Sequence, residues 1–539
     1  ILLAFLVAFF NQLSGINGEI LHGYMADSNF NVTPTDDSTT AITINVGGQT
    51  VIIPTTEVAL GGNLDPTTGT SVTDPANNRS TGGQKTQSAR FYNTTTGNDA
   101  EGADVLTGIS TTSGVGGAAL IAATDSILVS VQKGGRAIAP SASSPVEKFT
   151  YGVDGTTLSE FASWLEDKFG IQTGTDLYSH QRTEGTMTGG STLTVVDTNK
   201  NFLTEGVRVG DTIYLSNGSN VGEVRTVTAV AATTLTFGTA LTTAAASGNT
   251  YEVYAPAGVQ VGVLESDAAS GGSTTTLVDA GVNFVTDGVQ VGDVIYFNSG
   301  AESGNTAVVT AVAATTLTFA AMTTGPSALD LYSVRRGGDD ESARGSLVIR
   351  ANIGKVNEFT DITTQKESDG SNLFAYTEAV AANGASTRSA FVVYDSLGNS
   401  HTVNVSWVLS RQTSSTSVWE AFYESDDNNS TTNTNNNAGN RGIRIGYDRL
   451  TYDSSGDFVS SVSSSSQATL TLSGQGVSTP LIFSADYSDI TSKVSLATSG
   501  GTGLVSSNIN LVSQDGKPLG VLEGFSVGED GIVTGVFSN

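Results

Sequence analysis

The residues able to do chemistry are few in kind and scattered in position. The 539-residue chain holds three histidines, His22, His180 and His401, and none belongs to an HExxH or other paired-histidine spacing that would grip a zinc ion. It holds no cysteine, which removes disulfides, thiolate metal sites and thiol nucleophiles together. No Gly-x-Ser-x-Gly elbow presents a serine nucleophile. Carboxylates are plentiful, 52 Asp+Glu, so counting alone leaves a glycosidase pair open. Against it, aromatic residues make up only 7% of the chain, and Trp164, Trp407 and Trp419 are a thin supply for a sugar cleft.

Two patterns imitate binding loops. Gly-Val-x-Val-Gly-Asp, at 206–211 and 288–293, has the glycines of a phosphate loop but lacks its Gly-Lys-Ser/Thr ending and its strand–loop–helix setting. It reads as a β-turn. The tract Asn428–Asn437, flanked by Glu424, Asp426 and Asp427, offers oxygen ligands for calcium, but its spacing matches no calcium loop. A solvated acidic turn is the expectation there, as at Asp36–Asp37 and Asp339–Glu341. The chain is thus expected to have no catalytic, cofactor-binding or metal residues, and not to be an enzyme.

The elements that would position these residues are mostly strands. Segments 41–46, 50–53, 391–394 and 402–408 combine β-branched residues with nearby turn signals. One helix stands out. Thr157-Leu-Ser-Glu160 is a capping box, Leu158, Phe161, Trp164, Leu165 and Phe169 share one helical face, and Gly170 suits the left-handed position beyond its end. Those aromatic side chains read as core. Apolar residues amount to 38%, enough for several cores, and the length calls for three to five domains. The fold class is mainly β: several β-sandwich or β-barrel-like domains in an elongated chain, with one short amphipathic helix near 157–169.

The middle of the chain is duplicated. Asn201–Asp211 returns as Asn283–Asp293, and Val227–Phe237 returns unchanged as Val309–Phe319, both at an offset of 82 residues. Each copy reads as a small β-barrel or sandwich of about four strands. The net charge of −28 makes nucleic acid and anionic membranes poor partners. The apolar run 1–10 is too short to span a bilayer. The chain lacks an initiator Met and reads as a fragment.

Three stretches resemble the bacterial flagellar hook protein family. The first is Val393-Tyr-Asp-Ser-Leu-Gly-Asn-Ser-His-Thr402, a hairpin whose Asp395 can bond its own turn and whose Gly398 or Asn399 can take positive φ. The second is Gln514-Asp-Gly-Lys-Pro-Leu-Gly520, followed by strand residues on either side of an Asp530-Gly531 turn. The third is 18–24 together with 55–65.

The resemblance implies a structural subunit of the hook, the flexible tube linking rotary motor to filament. It implies export through the flagellar secretion system and an extracellular location. Self-association in a helical tube is implied for the full-length protein, with the hook cap, rod and hook–filament junction proteins as further partners. The implied plan is a discontinuous core of 11–73 plus 500–539, an outer β domain of 344–499, an inserted α+β domain of 74–183, and duplicated modules at 184–258 and 266–336. The terminal helical segments of the family are not recognisable, so the chain alone is expected to be monomeric. A distal rod protein, or another extracellular structural protein such as an adhesin, surface-layer or phage-tail component, is the alternative. The large inserted excursion favours the hook.

Overall fold

A computed structural model describes residues 81–138, 146–174, 177–339, 341–412, 416–428, 442–453, 455–463, 468–472, 480–487 and 515–538, with the backbone of three earlier strands. The chain divides into two units, Ile1–Asn78 with Lys493–Ser506 and Arg79–Ser492 with Ser507–Asn539. In the first, the strands Phe30–Thr33, Ala41–Val46 and Gln49–Pro54 form an antiparallel sheet in chain order, with Phe30 opposite Val46 and Ile42 opposite Ile53. The apolar run 1–10, His22, Asp36–Asp37 and the motifs at 18–24 and 55–65 lie outside the described residues.

The second unit is built of strands and, among the described residues, one α-helix, α1 (Leu158–Lys168). The Thr157 hydroxyl accepts a hydrogen bond from the Glu160 N–H at 3.2 Å, and the Glu160 carboxylate accepts from the Thr157 N–H at 3.0 Å. The capping box read from sequence is therefore made in both directions. Gly170 follows with φ +60°. Leu158, Phe161, Trp164 and Leu165 are buried, and the Phe149 ring stands edge-on to Phe161 and Trp164 at 5.0 and 5.6 Å. Two sheets complete this helix-bearing part. One runs Gly258–Val261, Leu347–Ile353, Gly83–Ser88, Tyr376–Val380; the other runs Asn372–Phe374, Phe359–Lys366, Ser126–Lys133, Arg136–Ile138.

Each copy of the duplication folds as a seven-stranded sheet of the same strand order. The first is Tyr178–Thr186, Thr250–Pro256, Thr212–Leu215, Val224–Ala231, Thr234–Phe237, Thr194–Val196, Gly189–Gly190; the second spans Val263–Ala268 to Leu331–Arg335 likewise. A bulge falls at Val227/Ala229 in one and Val309/Ala311 in the other. Their cores correspond: Phe202 to Phe284, Ile213 to Ile295, Leu235 to Leu317, Phe237 to Phe319. The Tyr251 hydroxyl donates to Asp197, and Tyr332 to Asp279, both at 2.8 Å. The barrel alternative is corrected here, because the end strands of each path do not pair and the modules are open sheets folded over one core.

The remaining body is a five-stranded antiparallel meander: Ser386–Tyr394, Ser400–Gln412, Thr416–Glu424, Arg444–Asp453 and Phe458–Ser463. One face, with Trp407, Trp419 and Tyr423, packs toward Phe483 and Tyr487 beside the strand pair Ala468–Leu470 and Leu481–Phe483. The opposite face carries Val408, Glu420, Phe422 and Glu424, and it too is buried, against other parts of the unit.

Candidate functional site

The residues proposed from sequence do not converge. His180 is buried, and burial together with Arg350, Arg182 and Lys85 pulls its imidazole down to about 2, so it is neutral. His401 sits elsewhere, its Nε2 3.3 Å from Asp395 and its Nδ1 3.1 Å from Asp427. Among the described residues, no group of three or more His, Asp or Glu is arranged to hold a metal ion.

The hairpin turn forms as its residues require. Asp395 accepts from the Leu397 and Asn399 N–H groups at 2.8 and 2.9 Å and from the Asn399 side chain at 2.9 Å, and Gly398 has φ +80°. Desolvation works against ionisation of Asp395, but these donors outweigh it and hold the carboxyl at about 2. The Gly398 carbonyl accepts from the Leu519 N–H at 3.2 Å, which ties the turn to the segment before the C-terminal hairpin. That hairpin pairs Leu522–Val527 with Val533–Phe537 around Gly531 at φ +79°.

The expectation of solvated acidic turns is corrected at Glu424 and Asp339, which are buried, while Asp427 is exposed as expected. Glu424 is buried against Lys133, whose ammonium also donates to the Phe169 and Gly170 carbonyls at 3.2 and 3.0 Å. Lys133 thus caps the C-terminal end of α1, where a cation is favoured. Burial pulls the Lys133 ammonium below its usual value while Glu424 opposes that pull. Arg136 reaches Asp426 at 2.7 Å, and Arg444 reaches Asp167 at 2.9 Å. These pairs fasten the five-stranded body to the helix-bearing part.

Asp339 is buried as well, gripped by Arg350 through both carboxylate oxygens at 2.7 and 2.8 Å and by Lys85 at 2.9 Å. Burial would raise its pKa, but Arg350 and Lys85 carry it well below the usual carboxylate range. Local sequence gives little view of either correction, because Lys133 lies 291 residues from Glu424 and Lys85 is comparably remote from Asp339, while Arg350, 11 residues from Asp339, reaches it only through the folding of its strand.

The turns at 206–211 and 288–293 turn out to be joints. Asp211 accepts from the Arg208 N–H at 2.8 Å and pairs with Arg182 at 2.7 Å. Asp293, its counterpart in the second copy, accepts from the Gln290 and Gly337 N–H groups at 2.7 and 2.8 Å and pairs with the Arg208 guanidinium. Arg208 therefore links one module to the other, and Gln290 stands at its position in the second copy. A cleft of about 520 Å³ lies beside this joint, lined by residues that include Leu203, Glu205, Val308 and Arg335.

A second joint centres on Arg411, whose guanidinium stacks on the Tyr214 ring and faces Tyr254 at 5.8 Å. Glu252 lies 3.6 Å from it, and Tyr178, Val408, Phe422 and Tyr447 pack around it. This cluster fixes the first module on the five-stranded body. The second module is held to the helix-bearing part by Asn98, which donates to the Tyr332 carbonyl at 2.7 Å, and by Asp99, which accepts from Ser333 at 2.6 Å. Arg411 and the Arg208 joint were missed from sequence.

Buried ion pairs and stacked rings fix the mutual orientation of four bodies within one unit. Residues 365–517, which take in the Asp395 hairpin and the five-stranded body, match the family of the flagellar basal body protein FlaE D2 domain. A comparison with curated proteins returns no match. The matched domain belongs to the family that the Val393–Thr402 hairpin resembles, and the chain is a flagellar hook protein, a structural subunit of the extracellular hook.

Proposed function

We propose that the chain is a non-catalytic, load-bearing subunit whose copies associate in a helical tube that bends as it transmits motor torque. The observation carrying this reading is the set of buried charged joints at Lys133–Glu424, Arg208–Asp293 and Arg350–Asp339. Displacing one such body while the partner charge stays buried would leave that charge uncompensated, which is strongly disfavoured. Bodies pinned within a subunit leave the contacts between subunits to remake as the tube turns. Such contacts must be heterologous and non-closing if the assembly is to grow as a helix. Partners at the two ends of the tube would be the rod on one side and the hook cap and hook–filament junction proteins on the other.

The proposed plan keeps a discontinuous core of 11–73 plus 500–539 and an outer hook domain within 344–499. The inserted part beginning at 74 is completed by strands between 347 and 380, which pair with those at 83–88 and 126–133. The chain has no cysteine of its own, so introduced pairs can be placed cleanly. A disulfide within one subunit, across the joint between the modules, should leave the bending stiffness of assembled hooks unchanged. A cross-link between modules of adjacent subunits should stiffen them and impair swimming. Stiffening by the intrachain bond alone would reject the proposal.

A further inference from the structure

The duplication supplies an internal control for one unusual backbone. In the first module Gly248 has φ +90°, its N–H donates to the Met187 carbonyl at 2.9 Å, and the Met187 N–H donates to the Asn249 carbonyl at 2.7 Å. In the second, the Leu329 N–H donates to the Ala269 carbonyl and the Ala269 N–H to the Asp330 carbonyl, both at 2.8 Å. Met187 and Ala269 occupy the same place in the repeat, so Gly248 and Leu329 do too. Leu329 nonetheless has φ +72°. A leucine in that region crowds its Cβ against the backbone, a strain that glycine escapes.

Among the described residues, none buries that side chain. Leu329 is 81% exposed, the most exposed large apolar side chain among the described residues. The turn that carries it is fixed: the Asp330 carboxylate accepts from the Ser327 N–H at 2.8 Å, and the Asp330 N–H donates to the Ser327 carbonyl at 3.2 Å. A rigid, strained, projecting leucine, where the duplicate keeps glycine, indicates an interaction made outside the subunit.

We propose that Leu329 is an assembly knob that inserts into an apolar surface of a second copy of this chain. The inference rests on the hook reading, because in a tube made of one protein the surface meeting a projecting side chain belongs to another copy. A knob on one surface meeting a socket on a different surface is the heterologous contact that propagates along a helix. The first module, with Gly248 at the same tip, lacks the knob, so the two modules are not equivalent in the assembly.

The test uses the full-length protein in cells that build hooks from it, and the purified protein. Leu329→Gly should raise the melting temperature of the unassembled protein by about 2–4 °C. It should also raise the critical concentration for polymerisation about tenfold or more, since burial of a leucine side chain is lost. Gly248→Leu should lower the melting temperature and leave the critical concentration unchanged. A photo-cross-linker on Leu329→Cys should attach to a second copy in assembled hooks. Leu329→Gly polymerising at the wild-type concentration, melting lower than wild type, or a cross-link to a different protein would each overturn the knob. Wild-type chain absent from hooks would overturn the hook reading itself.

Discussion

Lys133 shows how a single residue sets the docking of two bodies. It continues the inward phase of Ile127, Val129 and Val131 along its strand, so a period-2 reading already turns it inside. Its partner Glu424, 291 residues away, cannot be found that way. Glu424→Ala should destabilise the chain by about 3–5 kcal/mol, because Lys133 would be left buried and unpaired. Replacing the pair by Met and Leu should recover most of that loss, and denaturant unfolding measures both. A different residue-scale effect concerns Glu101 and Glu265, near Asp104, Asp267 and Asp287. Burial foremost, and then neighbouring carboxylates, push Glu101 up to about 7 and Glu265 up to about 8. In the unfolded chain both release their protons near 4.5. The folded chain therefore holds protons that the unfolded chain has lost, and this contribution is fully present below about pH 4.5 and fades as pH rises through 7–8. Melting temperatures across pH 5 to 8.5 should fall, and Glu265→Gln should flatten the slope.

At the scale of elements, α1 was the most legible feature. Its cap, face and terminal glycine are local signals that tertiary contacts reinforce. Thr157→Ala should cost about 1 kcal/mol, read as a lower unfolding midpoint. The strand Ser400–Gln412 shows where alternation fails. A bulge between Leu409 and Arg411 sets Leu409 opposite Trp419 but Arg411 opposite Val418. Arg411 is thereby re-aimed from the Trp407 face to the face that meets Tyr214 and Tyr254. Bulge positions depend on the pairing of strands, so this joint was illegible without the fold. The duplication was legible as two equal modules because the offset is constant. That their turns bond to each other through Arg208 was not, since Gln290 replaces it in the second copy. Gly262 marks the tightest approach at the start of the second module: an added Cβ would lie 1.8 Å from the Ala343 carbonyl. Gly262→Ala should destabilise by about 1–3 kcal/mol through forced displacement of that backbone.

Over the whole molecule, the outside remains acidic although burial trims the charge sum. Among the described residues Lys85, Lys133, Lys168, Arg208, Arg344, Arg350 and Arg411 are buried, but more carboxylates are buried with them, so the surface is less negative than the net charge of −28 and still of one sign. Copies brought together in a tube repel one another at low ionic strength. The critical concentration for assembly should fall as salt is raised from about 10 to 150 mM, measured by sedimentation. The segment between the modules has a further consequence, for copy number. Because Val227–Phe237 and Val309–Phe319 are identical, a contraction by one 82-residue unit between them would leave no scar in the protein. Contraction would delete Gly258–Val261, which is the edge strand of the sheet under α1 and contributes Val259 and Val261 to that core. The shortened chain would keep one intact-looking module and lose the floor beneath its helix, so the pair, once established, is held at two by a neighbour that belongs to neither copy.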